Sequence, residues 1–147
     1  MARVTLLLPD QKIFSTLMDI RIDHINYGGH MGNDSVLTLM HEARLRFLKA
    51  LGYENEVYIG KDTGMIVADS VVVYRAEAFH GDQLRVSIAM DDFSAYGMDI
   101  FYLLENTETD QEIARGKTGI VFFNYKTRKV SRIPKEFLER KDKYIKP

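Results

Sequence analysis

From about Ile13 to Ile22 apolar and polar positions alternate. Phe14, Thr16, Met18, Ile20 and Ile22 fall on one side, and Ser15, Leu17, Asp19 and Arg21 on the other. A period of two predicts a strand. A glycine-bearing loop follows, Asp23 to Asn33. The pattern then changes to three- and four-residue spacing, with Val36, Leu39, Met40, Ala43, Phe47, Ala50 and Leu51 repeating along it. That period predicts a helix over about Asp34 to Leu51, capped by Asn33 or Asp34 and ended by Gly52. Leu37 and Leu48 widen the apolar stripe to about half the circumference at ~100° per residue, with Thr38, Glu42 and Lys49 opposite. So wide a stripe predicts a helix embraced by the rest of the fold.

Beyond the helix the pattern is that of strands. Met65 to Phe79 is rich in β-branched residues, and Gly81-Asp82 turns the chain. Leu84 to Phe93 alternates, Ile100 to Leu104 reads as buried, and Ile113 to Tyr125 ends in Ile120, Val121, Phe122 and Phe123. Pro134 opens a short helical piece, Lys135 to Arg140. Tight turns between successive strands imply antiparallel neighbours. The expected architecture is α+β: a five-stranded antiparallel sheet curved around one long central helix.

Composition adds bounds. The chain has 147 residues, 46% hydrophobic and 28% charged, which predicts one domain over residues 1–147. There is no cysteine, hence no disulfide framework and no sulfur-based metal cage. No apolar run reaches membrane-span length, and Met1 to Pro9 is too short for a signal peptide, so the expected location is the cytoplasm. A net charge of −1 gives no bias toward nucleic acid. Lys126 to Pro147 nevertheless carries nine Lys or Arg against three acids. It is read either as a solvated surface or as a cationic rim for a phosphate-bearing ligand.

The loop is where chemistry is expected. It presents Asn26, Tyr27, Gly28, Gly29 and His30 at the start of the helix, where unpaired N–H groups favour an anion or a carbonyl gaining negative charge. Gly28, Gly29 and Gly32 allow close backbone approach to a ligand. His30 is a candidate base, or a packed histidine that fixes the loop. Glu42 is a carboxylate two turns into the helix, available as a base or solvated. Asn33 is read chiefly as a helix cap, and Gly29 as a turn glycine with N–H groups beside it. Histidines 24, 30 and 41 with Asp34 match no familiar metal-ligand spacing, and no Gly-x-Ser-x-Gly elbow, GxGxxG or P-loop is present.

Asn26 to Asn33, followed by Glu42-Ala43-Arg44-Leu45-Arg46-Phe47-Leu48, resembles the 4-hydroxybenzoyl-CoA thioesterase-like branch of the hotdog superfamily. Val73-Tyr74-Arg75, His80 to Leu84 and Ile133-Pro134 extend the likeness over about Met18 to Phe137. The resemblance implies a hotdog fold, acyl-CoA thioesterase activity, and a homodimer or homotetramer with sites between subunits. It implies no cofactor beyond the coenzyme A of the substrate. It assigns catalysis to Asn26, His30 and Glu42, and substrate binding to Tyr27, Gly28, Gly29 and Asn33. Many members carry an aspartate where this chain has Asn26. An asparagine orients water through its amide but cannot take its proton. The alternative is therefore a non-catalytic acyl-CoA-binding hotdog protein.

Overall fold

The computed structural model describes residues 1–144; the last three residues of the basic stretch lie outside it. The elements in chain order are β1 (Phe14–Asp19), α1 (Asn33–Ala50), β2 (Thr63–Tyr74), β3 (Gln83–Asp91), β4 (Gly97–Asn106), β5 (Glu112–Asn124), β6 (Lys129–Val130) and α2 (Lys135–Lys143). The sheet is antiparallel in the order β1-β3-β4-β5-β2, and the two-residue β6 adds a sixth strand beside β5. It wraps around α1, as the pattern predicts, and matches the hotdog fold that the resemblance implies.

Alternation on the strands sets the concave face. Leu84, Val86 and Ile88 of β3, Ile100, Tyr102 and Leu104 of β4, and Ile120 and Phe122 of β5 are buried there. Against them α1 buries Val36, Leu39, Met40, Ala43, Phe47 and Leu48. Gly116 of β5 permits the close fit: a Cβ there would stand 2.6 Å from Met40 Sδ. Gly52, at a φ of 94°, ends the helix as expected, its N–H donating to Lys49 O.

Four details correct the sequence reading. β1 stops at Asp19, and Ile22 beyond it is exposed. β2 stops at Tyr74 rather than Phe79, because residues 75–79 leave the sheet to meet the loop before α1. Leu37 and Ala50 are exposed, whereas Ser35 and Arg44 are buried on the inner side. Among the described residues no side chain caps α1: the N-cap is Gly32, and Asn33 is the first helical residue.

Arg44 stays charged inside the fold because a carboxylate and a hydroxyl receive it. Its Nε donates to Glu56 Oε2 (3.0 Å) and its Nη1 to Tyr102 Oη (3.1 Å), and Tyr102 Oη also pairs with Thr118 Oγ1 (2.9 Å). Burial pushes the Tyr102 hydroxyl up. Much of the basic C-terminal stretch is spent on aromatic faces. Arg128 lies over Phe123, Arg132 over Tyr96, Arg140 over Tyr53 and Lys141 over Phe93. Among the described residues no helix is long and apolar enough to cross a membrane.

Candidate functional site

The loop before α1 is built by its own hydrogen bonds. Residues 22–24 form a single 3₁₀ turn. Asn26 N–H donates to His30 O (2.9 Å) and Gly29 N–H to Asn26 O (3.1 Å), closing a tight turn over residues 26–30. Asn26 Oδ1 accepts from Gly28 N–H at 2.9 Å and from His30 N–H at 3.4 Å. The amide oxygen is thus spent on the loop, and the amide nitrogen remains as a donor. Gly29 has a φ of 84°, a conformation in which other residues are strained. Gly28 leaves room for chemistry: a Cβ there would stand 3.3 Å from both Asn26 Oδ1 and His30 Nε2. Tyr27 at the tip is fully exposed.

Two backbone bonds fix the loop. Met31 N–H donates to Ala78 O (2.7 Å), and Gly32 N–H to His24 O (2.9 Å). The first brings the chain beyond β2 over the start of α1. The result is a cleft of about 500 Å³ lined by Asn26, His30, Met31, Asn33 and Val36 on one side. Tyr74, Arg75, Ala76, Glu77, Ala78 and Ile113 line the other. Its size is in the range of small-molecule sites.

His30 has a defined orientation. Its Nδ1 lies 3.2 Å from Met31 O. A carbonyl only accepts, so Nδ1 carries the proton and Nε2 holds the basic lone pair of the neutral ring. Nε2 stands 3.8 Å from Glu77 Oε1. Tyr74 Oη donates to Asn33 O (3.0 Å), pinning the first turn of α1 to β2. Burial pushes the Tyr74 hydroxyl up, and nearby Asp34 adds to the shift, so it stays protonated as this bond requires. Among the described residues the N–H groups of Asn33 and Asp34 donate to no protein atom, as the first turn of a helix dictates.

The structure divides the set of candidate residues. Asn26, His30 and Asn33 line one cleft, with Gly28 against the His30 ring and Gly29 in the turn beside it. Glu42 is elsewhere. It lines a second cleft of about 330 Å³ between α1 and β1, with Thr38, Arg46, Asp19, Arg21 and His24. Its Oε2 is 3.8 Å from Arg46 Nε. The physical reason is helical phase: Glu42 is nine residues past Asn33, which at ~100° per residue points it well away from the first turn. The residue that sequence reasoning missed is Glu77. It fell in a segment read as strand, and no spacing marks it; only the Met31–Ala78 bond places it beside His30. Among the described residues no group of three or more His, Asp or Glu has the geometry to hold a metal ion.

A model of the thioesterase-like superfamily matches residues 20–140. No curated protein matches the sequence. Several solved structures share the fold. A 1,4-dihydroxy-2-naphthoyl-CoA thioesterase from Synechocystis is 20% identical with a TM-score of 0.80, covering 88% of this chain and 96% of that one. A hypothetical protein from Staphylococcus aureus, in complex with CoA, is 15% identical with a TM-score of 0.81, covering 95% and 87%. A gentisyl-coenzyme A thioesterase is 16% identical with a TM-score of 0.76, covering 86% and 98%. At these identities the likeness establishes the fold.

Proposed function

Because the chain belongs to the thioesterase-like superfamily, we propose that it is an acyl-CoA thioesterase acting on a small or medium acyl or aryl thioester, as the 4-hydroxybenzoyl-CoA thioesterase-like branch does. The observation that carries this reading is the shared cleft. Asn26, His30 and Asn33, the first residue of α1, line one space of about 500 Å³. CoA as the carrier is supported by the CoA complex and the CoA thioesterases that share the fold.

The chemistry follows from the groups. The thioester oxygen meets the N–H group of Asn33 at the positive end of α1, where developing negative charge is favoured. Asn26 holds the attacking water through its amide nitrogen, its oxygen being engaged by Gly28 and His30. His30 Nε2 takes the water proton and returns it to the departing thiolate. Glu42 lines the other cleft of the same chain, so the step is assigned here without it. Tyr27, Gly28 and Gly29 border the entry, and the exposed ring of Tyr27 is free to cover a bound acyl group. No cofactor is called for beyond the coenzyme A of the substrate.

A homodimer, or a homotetramer built from it, suits the sheet. β2 is a 12-residue edge strand with Ile66 and Val67 exposed, and such an edge is a template for pairing with another chain. One observation favours a second reading, a binding protein without turnover: the Asn26 side chain works as a loop staple, and nothing in that role needs catalysis.

The test is free-thiol release from a panel of acyl- and aryl-CoA thioesters, with wild type beside Asn26→Ala, His30→Ala and Glu42→Ala. The expected result is turnover that His30→Ala lowers by a factor of ~100 or more, as for loss of a general base. Glu42→Ala should stay near wild type. No turnover across the panel, with CoA esters still bound by calorimetry, would establish the binding protein instead.

A further inference from the structure

We infer that Glu77 supplies the carboxylate this site otherwise lacks, and that it acts through His30 as a positioning residue. The inference rests on the thioesterase reading. Position 26 holds an amide, which cannot carry the negative charge an aspartate would. Among the described residues that line the cleft, Glu77 is the one acid. Its Oε1 faces the basic nitrogen of His30 at 3.8 Å, and it has no other ion-pair partner among the described residues. The neighbouring cation, Arg75, is held by Glu112 at 3.3 Å and does not compete for it.

The backbone makes this pairing rather than chance contact of two surface side chains. Met31 follows His30, Ala78 follows Glu77, and Met31 N–H donates to Ala78 O at 2.7 Å. That bond puts the two side chains side by side at the mouth of the cleft. The second anchor, Nδ1–H to Met31 O, stops the ring from turning its basic nitrogen away.

The charge of Glu77 matters at one moment. When His30 Nε2 takes the water proton, the new C–O bond forms and the carbonyl electrons move to the oxygen at the helix start. An imidazolium then stands beside Glu77. On collapse the C–S bond breaks and the thiolate recovers the proton from Nε2, so acid and thiol leave with the enzyme unchanged. The Glu77 carboxylate faces the positive charge that appears on the ring as the water proton is taken, an attraction made in the transition state.

Glu77→Gln keeps the shape and removes the charge. Its kcat should fall about three- to fivefold with KM within about twofold, the size allowed for a largely exposed pair in a step worth ~100-fold or more. The double variant His30→Ala with Glu77→Gln should be no slower than His30→Ala alone, because Glu77 has nothing to act on once the imidazole is gone. The wild-type advantage over Glu77→Gln should shrink as salt rises from about 10 mM to 1 M, since a partly exposed charge is screened. A Glu77→Gln kcat within twofold of wild type, a further loss of threefold or more in the double variant, or a salt-independent ratio would each overturn the inference. Wild type without turnover would instead fail the thioesterase reading, and this inference with it.

Discussion

Glu56→Gln offers a sharp test of what holds α1 in the sheet. Arg44 is 4% exposed, and its charge is balanced by Glu56 at 3.0 Å, with Tyr102 Oη as its other acceptor at 3.1 Å. Glu56 Oε1 also meets His41 Nε2 at 2.8 Å on the outer side of the helix. Glutamine preserves size and an acceptor but leaves the guanidinium buried beside neutral groups. Breaking a fully buried pair this way costs ~3–5 kcal/mol. The Glu56 side chain is 23% exposed and Tyr102 still accepts, so the cost here should fall to about 2–3 kcal/mol. For a chain of this length that is a drop of roughly 5–10 °C in midpoint. Urea unfolding followed by far-UV circular dichroism measures it, with an unchanged m-value showing that the unfolded state is not altered. Replacing both partners, Arg44→Met with Glu56→Leu, should recover most of the loss, because the uncompensated charge has gone. A cost below ~1 kcal/mol for Glu56→Gln would refute the reasoning, since it would mean that water already solvates Arg44.

Tyr53→Phe should stabilise the protein by about 1 kcal/mol in the same assay. Among the described residues the Tyr53 hydroxyl is buried without a partner, while its ring contacts with Arg140 and Phe137 survive the change; a loss of stability would show that the hydroxyl is bonded after all. Hydrogen bonds from Arg115 hold the Glu112 carboxyl below its ordinary value of 4.5, and nearby Arg75 adds to the effect. A carboxyl lowered on folding stabilises the protein above its unfolded value, and that contribution is lost as pH falls through the folded one. The destabilisation caused by Glu112→Gln should therefore be full at pH 7 and shrink below about pH 4.5 in urea titrations, and a pH-independent difference would refute it.

Much of the fold is legible along the chain. A period of two and a period of 3.6 are local properties, so the strands and the long helix declare themselves. The half-circumference stripe from Val36 to Leu51 already requires a sheet curved around it. The loop from Asn26 to His30 is legible too, because a run of small and polar residues between a strand and a helix has few other uses. Periodicity misjudged individual positions. Leu37 lies within the stripe yet is exposed, and Arg44 is buried because Glu56 and Tyr102 are there to receive it. Neither partner is visible from the helix alone.

The composition of the site was decided by tertiary structure. Glu42 stands out along the chain through the family likeness, but the turn of α1 carries it to the β1 side of the same chain. Glu77 looks like an ordinary charged residue near the end of a strand. It reaches His30 because β2 ends at Tyr74, Arg75 and Ala76 both donate to Ile113 O, and Ala78 accepts from Met31. The sequence determined which elements form and that a loop of glycines, Asn26 and His30 opens the helix, because those follow from local periodicity and turn chemistry. Which carboxylate stands beside that histidine depended on where two segments distant in the chain are hydrogen-bonded together, a relation that no local pattern encodes.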